Sequence, residues 1–316
     1  MDFGVYLHFP YCLSKCPYCD FASKVVASVP HRRYARAVAK ELALRAAVVE
    51  GRTAVSLFNG GGTPSLWDPE ALDEALGAIR ETVRFAPDAE FTLEANPGAS
   101  DARRFGAFRR AGINRLSIGV QSFHPRSLAA LGRRHTGNEA ERAFASAREA
   151  GFDNVSLDLI YGAPGQDVQM AVDDAARAVA LGPDHLSCYA LTLDIEALAE
   201  AVPLAKKVAR GRVRVPDDEA QAEMGARVRE VLAGGGYARY EISNYARRGL
   251  DSRHNTLYWV GAEYLGLGCG ACGFSLNDPS DPSKGGRRYG NVRSPEKYLE
   301  AIEAGRLPEQ WSEELT

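Results

Sequence analysis

Six short apolar runs punctuate this chain, at residues 5–9, 54–59, 90–94, 115–120, 154–160 and 185–191. Each precedes a longer stretch in which apolar residues recur every three or four positions. The runs have the length of strands, and the stretches have the period of helices with one buried face. Helices are predicted at about 33–49, 69–83, 101–111, 139–150 and 168–180. Gly112, Gly151 and Gly182 follow three of these, where a left-handed residue closes a helix.

Strand–helix repetition of this kind means parallel strands joined by helical crossovers. Six units fall short of a closed eight-fold barrel, so the expected fold is α/β, a partial (β/α)6 TIM-like barrel. An open doubly wound sheet is the alternative. After Leu191 the alternation loosens. Residues 194–207 read as helix, as do residues 217–232, which run into Gly234-Gly235-Gly236, and residues 240–246 read as a strand and turn. The expected division is a core barrel over residues 1–212 and an α+β extension over residues 213–316. In a parallel barrel the chemistry sits at the carboxyl ends of the strands, and those ends are where the unusual residues of this chain fall.

The first strand leads into Cys12-Leu13-Ser14-Lys15-Cys16-Pro17-Tyr18-Cys19. Three thiols this close cannot pair off as disulfides without leaving one over. They can all face one small object, and soft thiolates select iron–sulfur clusters, zinc or Cu(I). A closed zinc site wants a fourth ligand nearby, whereas the next cysteine is Cys188. Three thiolates can hold three irons of a [4Fe–4S] cube and leave the fourth open.

The second strand ends in Asn59-Gly60-Gly61-Gly62-Thr63-Pro64, where glycines let backbone N–H groups approach a ligand or simply make a tight turn. Glu94 ends the third strand, Gln121 the fourth, and Asp158 interrupts the apolar fifth. A carboxylate in a buried strand is costly unless paired or hydrogen-bonded. Together the three residues read as the lining of one polar cavity. Arg133, just past the fourth strand, is placed to meet a ligand carboxylate or Asp158.

Two later clusters carry candidate chemistry. His254-Asn255-Thr256-Leu257-Tyr258-Trp259 sets an imidazole among aromatic rings. That suits a flat macrocycle with an axial histidine, or equally a hydrogen-bonded histidine in an aromatic core. Cys269 and Cys272 form a C-x2-C pair in a glycine-rich loop. Without two further ligands nearby, small-residue packing explains the pair better than metal.

Composition narrows the setting. Lys and Arg number 38 against 41 Asp and Glu, a net charge of −3 that gives no reason to expect nucleic-acid binding. Arg32-Arg33 and Arg287-Arg288 read as solvated surface. The amino terminus lacks the pattern of a signal peptide, and no stretch has the length of a membrane span. Six cysteines in 316 residues are not a disulfide scaffold, which points to a reducing cytoplasm.

The C-x3-C-x2-C spacing resembles the signature of radical S-adenosylmethionine (SAM) proteins. Tyr6-x-His8-x-Pro10, Gly60-Gly61-Gly62-Thr63-Pro64, Glu94, the stretch 115–123 and Asp158-Leu159-Ile160-Tyr161-Gly162 resemble the coproporphyrinogen-dehydrogenase superfamily within them. The resemblance runs from Tyr6 to about Leu307. It implies that Cys12, Cys16 and Cys19 ligate a [4Fe–4S] cluster whose open iron takes SAM. Tyr6 and Tyr18 would lie near the SAM, and Gly61, Gly62 and Thr63 would hold its methionine end. Glu94, Gln121, Arg133 and Asp158 would hold its polar groups.

One position separates branches of that superfamily. The dehydrogenases carry a fourth cysteine two residues beyond the third, and here that residue is Phe21. The Cys19-Asp20-Phe21 form resembles the sister branch, the HemW-type haem chaperones. That branch implies haem as cargo, His254 as its ligand, and delivery to acceptor haemoproteins, with membrane-associated ones as candidates. The electron donor stays unassigned. The alternatives are an oxygen-independent coproporphyrinogen III oxidase or a related radical SAM methyltransferase. The family usually has His where Cys272 stands and a Glu-Pro-Gly-Thr turn near residues 194–207. It also usually continues into a small winged-helix-like domain, so a chain ending at Thr316 is expected to be shortened relative to it.

Overall fold

The structure is a computed structural model that describes residues 3–193, 202–278 and 281–315. Strands β1 (Phe3–Phe9), β2 (Thr53–Gly61), β3 (Arg84–Ala95), β4 (Arg115–Gln121), β5 (Asn154–Tyr161) and β6 (His185–Ala190) lie side by side in that order, every neighbouring pair parallel. Their order in the sheet is their order in the chain, as repeated strand–helix units require. A seventh parallel strand, β7 (Tyr264–Leu267), pairs with the free edge of β1. It comes from the carboxyl-terminal third of the chain and was not among the expected strands. Its four residues, Tyr264-Leu265-Gly266-Leu267, carry too little pattern to be read alone.

The period-two alternation of a strand separates two environments. On β1, Val5, Leu7 and Phe9 are buried in the main apolar core. Phe9 stacks on Trp67 at 4.7 Å and meets Tyr34, on the helix His31–Leu44, edge-on. Tyr6 and His8 point the other way, inside the curved sheet, where Tyr6 stacks on Phe58 and His254.

The expected helices are found at Pro69–Thr82, Gly137–Glu149 and Val168–Leu181. Asp68, Thr136 and Asp167 cap their amino ends, Thr136 in a reciprocal capping box with Glu139. Gly112, Gly151 and Gly182 all have positive φ. Two expected helices are interrupted. The first breaks at Arg45, with helices His31–Leu44 and Ala46–Val49 on either side. Arg45 turns inward to Glu41, Asn291 and Glu309. The stretch 101–111 is split into Ala99–Ala102 and Phe105–Arg110. Within the stretch 194–207, residues 194–201 lie outside the described residues, and Pro203–Ala209 is helix. Asp218–Gly234 is the next helix, as expected.

The sheet does not stop at the barrel. Antiparallel strands Cys272–Leu276, Gly286–Asn291 and Glu309–Leu315 continue it beyond β7, and Asn244–Ala246 and Ala238–Arg239 continue it beyond β6. The helix Arg253–Trp259 packs against β1 and β2. Glu90 of β3 receives the Arg253 and His254 N–H groups, which anchors that helix to the inner face of the sheet. No helix among the described residues is long and apolar enough to cross a membrane.

Candidate active site at the carboxyl ends of the parallel strands

The cysteine loop begins where β1 ends. Tyr11–Cys12 pairs with Lys24–Val25, so the loop leaves and returns along one short ladder. Inside it the Cys19 N–H donates to the Cys16 carbonyl at 3.2 Å, a tight turn that brings the second and third thiols to one side. Thr63 Oγ1 donates to Cys12 Sγ at 3.4 Å, Arg133 Nη1 approaches Cys16 Sγ at 3.7 Å, and the Phe21 N–H points at Cys19 Sγ. Burial pushes the Cys12 and Cys19 thiols up, while the Thr63 and Phe21 donors pull them down. All three cysteines are free thiols.

These thiols open onto a cavity of about 420 Å³ whose walls include Tyr18, Gly61, Gly62, Thr63, Glu94, Gln121, Arg133 and Asp158. That size suits a small-molecule ligand. Eight non-cysteine residues expected from six different segments therefore share one chamber with the three cysteines. The glycine loop is there for a steric reason. A Cβ on Gly62 would stand 2.8 Å from the Tyr11 carbonyl oxygen and 3.0 Å from that of Phe9, and one on Gly61 would meet the His8 ring at 2.6 Å. The Gly61 N–H donates to Glu94 Oε2 at 3.0 Å.

The two carboxyls in the wall are held unlike ordinary acids. Burial, then the charge of Asp158, raises Glu94 to about 8. Burial raises Asp158 to about 6, against hydrogen bonds from Ser117 and Ser156. Arg133 is not bonded to Asp158. Its Nη2 donates to Asn96 Oδ1 at 2.7 Å and to the Gly119 carbonyl at 2.6 Å. Its Nε is buried with no hydrogen-bond partner, and the residue is part of the chamber wall. Gln121 is the one non-glycine residue with positive φ among the described residues, at 66°. Its strained backbone turns the side chain toward Tyr189, whose hydroxyl donates to Oε1 at 3.3 Å.

Asn96, Ser117 and Tyr189 also line the chamber and were not singled out from the sequence. Asn96 donates to Thr63 Oγ1 and accepts from Arg133, joining the glycine loop to the arginine. The period of a strand could have found the first two: Asn96 is two residues past Glu94, and Ser117 is four before Gln121.

Two expected site residues, Tyr6 and His254, are not in this chamber wall. His254 is 2% exposed. Its Nδ1 shares a hydrogen bond with Ser56 Oγ and its Nε2 one with the Tyr258 hydroxyl, both 2.9 Å. Burial holds the imidazole well below its usual range, at about 3. Tyr258 and Trp259 remain 42% and 54% exposed. Cys269 is buried, and its thiol donates to the Val292 carbonyl. Cys272 opens the strand Cys272–Leu276.

The Radical SAM superfamily model matches residues 6–178. The chain is 41% identical over 271 residues to the heme chaperone HemW of Escherichia coli, covering 85% of this chain and 69% of that protein. It is 40% identical over 316 residues to the heme chaperone HemW of Mycobacterium tuberculosis, covering 99% of this chain and 77% of that one. Among solved structures, the Escherichia coli coproporphyrinogen III oxidase HemN, a radical SAM enzyme, superposes with a TM-score of 0.80 at 23% identity, covering 100% of this chain and 72% of that one, which shows the shared fold.

The superfamily implies a [4Fe–4S] cluster and SAM, and the residues present fit both. Among the described residues no three of His, Cys, Asp and Glu are gathered tightly enough to hold a single metal ion. A cube makes no such demand, because each thiolate takes an iron of its own. The chamber beside the thiols offers carboxylates for a cation and the Arg133 guanidinium group for a carboxylate. Matched by the superfamily model over residues 6–178 and about 40% identical to two HemW proteins along most of its length, the chain belongs to the HemW family of the radical SAM superfamily.

Proposed function

We propose that this chain is a haem chaperone: it binds haem and hands it to acceptor haemoproteins, and it holds a [4Fe–4S] cluster and SAM in its barrel. The observation that carries this reading is 40% identity along 99% of the chain to a heme chaperone HemW. Phe21, 59% exposed at the mouth of the cysteine loop, supports it against the dehydrogenase reading, which calls for a cysteine there.

Cys12, Cys16 and Cys19 would hold the cluster, with Thr63, Arg133 and the Phe21 N–H as the donors around their sulfurs. Bound there, the cluster supplies an electron and an open iron site for the amine and carboxylate of SAM. Gly61, Gly62 and Thr63 form the floor. Glu94 and Asp158 are the acceptors suited to a cationic ligand, Arg133 is the donor suited to its carboxylate, and Gln121 is fixed by Tyr189. Six free cysteines support a reducing, cytoplasmic setting.

For haem, His254 is the axial candidate. Its Nε2 is occupied by the Tyr258 hydroxyl at 2.9 Å, on a residue that is itself partly exposed. Haem coordination there requires Tyr258 to give way. The test is an anaerobic haem titration of cluster-reconstituted protein beside His254→Ala. A saturable Soret band that weakens or shifts in the variant supports the reading. Identical behaviour makes His254 structural, and no binding by either protein removes the chaperone function.

A further inference from the structure

The inner face of β1 joins the His254 pocket to the cysteine loop through two side chains, Tyr6 and His8. The Tyr6 ring stacks on the His254 imidazole, centroids 6.3 Å apart and planes 28° apart, with Phe58 stacked against both rings. On its other side the imidazole meets Gly4, where even a Cβ would stand 2.9 Å from Nδ1. The ring therefore has no room toward the strand backbone, and Tyr6 and Phe58 are stacked beside it. The Tyr6 hydroxyl bonds His8 Nδ1 at 3.0 Å, and His8 Nε2 bonds the Ala22 carbonyl oxygen at 2.8 Å.

His8 is confined as well. Gly61 and Gly270 lie against it, and a Cβ on Gly270 would collide with Ala22. The Ala22 carbonyl lies one residue past the Phe21 N–H, which points at Cys19 Sγ. Hydrogen bonds to thiolate sulfurs are among the levers that set an iron–sulfur cluster's reduction potential. The links between His254 and the third thiol are thus ring contacts, two hydrogen bonds of 3.0 and 2.8 Å, and the backbone between Ala22 and Phe21.

We propose that Tyr6 is a positioning residue that couples the two sites: haem coordination at His254 moves the Tyr6–His8–Ala22 chain and shifts the reduction potential of the cluster held by Cys19. This rests on the haem reading above. The switching element in this proposal is the Tyr258 hydroxyl, which sits on His254 Nε2 and would leave it on haem coordination. Displacing it frees the imidazole to tilt, and the stack carries the tilt to the Tyr6 hydroxyl.

The experiment is a redox titration of the reconstituted cluster, followed by electron paramagnetic resonance, with and without ferric haem, on wild type, Tyr6→Phe and Tyr258→Phe. Tyr6→Phe keeps the stacking ring and removes the hydroxyl link. The expected result is a haem-induced shift of midpoint potential and of the cluster signal in wild type that is lost in Tyr6→Phe, whose Soret band still saturates. An equal shift in Tyr6→Phe, or none in haem-loaded wild type, overturns the coupling while leaving haem binding intact. Absence of a Soret band in wild type overturns the chaperone reading and the coupling with it. If Tyr6→Phe fails to take up a cluster, Tyr258→Phe decides. Without the hydroxyl competing for Nε2, its cluster shift must appear at lower haem concentration than in wild type, and an unchanged or higher midpoint overturns the proposal.

Discussion

The Gly61 amide donates to Glu94 Oε2 at 3.0 Å, so the turn after β2 and the last carboxylate of β3 hold one another in place. The bond favours the ionised carboxyl, yet burial and the charge of Asp158 outweigh it and leave Glu94 at about 8. A carboxyl raised in the folded state keeps a proton that the unfolded chain releases. Between about pH 4.5 and pH 8 the folded protein therefore binds more protons, and its stability falls as pH rises through that window. The contribution is at most about 5 kcal/mol over the full interval. Denaturant midpoints at pH 5 and pH 8.5 should show this slope, and Glu94→Gln should flatten it; an unchanged slope removes Glu94 as its source.

The same carboxyl predicts proton release on ligand binding. A cation beside Glu94 favours its ionised form, so SAM uptake at pH 7 should expel a proton and tighten as pH rises toward 8. Calorimetry in two buffers of different ionisation enthalpy reads the proton directly. Glu94→Gln should abolish the buffer dependence and weaken binding by roughly tenfold or more, the size of losing one charged hydrogen bond.

Each cysteine of the loop should be needed for the cluster. After anaerobic reconstitution, Cys16→Ala should lose most of its iron and sulfide and its charge-transfer absorption, because one iron then lacks a thiolate. Cys16 is partly exposed, so its apo melting temperature should stay within a few degrees of wild type. Iron retention at the wild-type level would sink the cluster assignment.

Gly62→Ala tests the cradle by sterics alone. The new Cβ would press on the Tyr11 and Phe9 carbonyl oxygens, which are backbone and cannot rotate away. A cost of about 1–3 kcal/mol is expected, together with poor cluster uptake, since the same backbone leads into Cys12. Thermal melts and iron content measure the two effects on one preparation.

Glu41→Ala should be the most damaging of these changes. Glu41 is fully buried and accepts from Arg45, the Gly268 N–H, Asn291 and Tyr298. Removing it leaves Arg45 at 4% exposure with Glu309 as its remaining carboxylate, a loss of about 3–5 kcal/mol for a broken buried pair. Glu41→Gln should recover part of it, because the amide can still meet two of the donors. Chemical denaturation of both variants separates charge from hydrogen bonding.

The legible part of the site was that held by neighbours in sequence or by strand ends. Cys12, Cys16 and Cys19 declare themselves by spacing, and Glu94, Gln121 and Asp158 by being polar where apolar residues are expected. Strand ends converge in a parallel barrel, so positions far apart in the chain could be assigned to one chamber. Arg133 was legible as a site residue but not in its partners. Whether it met Asp158 or Asn96 depended on the path of the loop after β4, which no local pattern encodes.

The sequence by itself determined the ligands of the proposed cluster, the six strand–helix units and the glycine cradle. Local periodicity, turn chemistry and thiol spacing act over a few residues and need no knowledge of the rest of the chain. Tertiary structure decided the seventh strand beside β1, the inward turn of Arg45 and the fate of His254. The sequence shows an imidazole among aromatic residues. The bond from its Nε2 to Tyr258 spans one helical turn, but only packing buries the ring, gives its Nδ1 to Ser56 and stacks it on Tyr6, because those contacts are set by segments about two hundred residues apart that meet on one sheet.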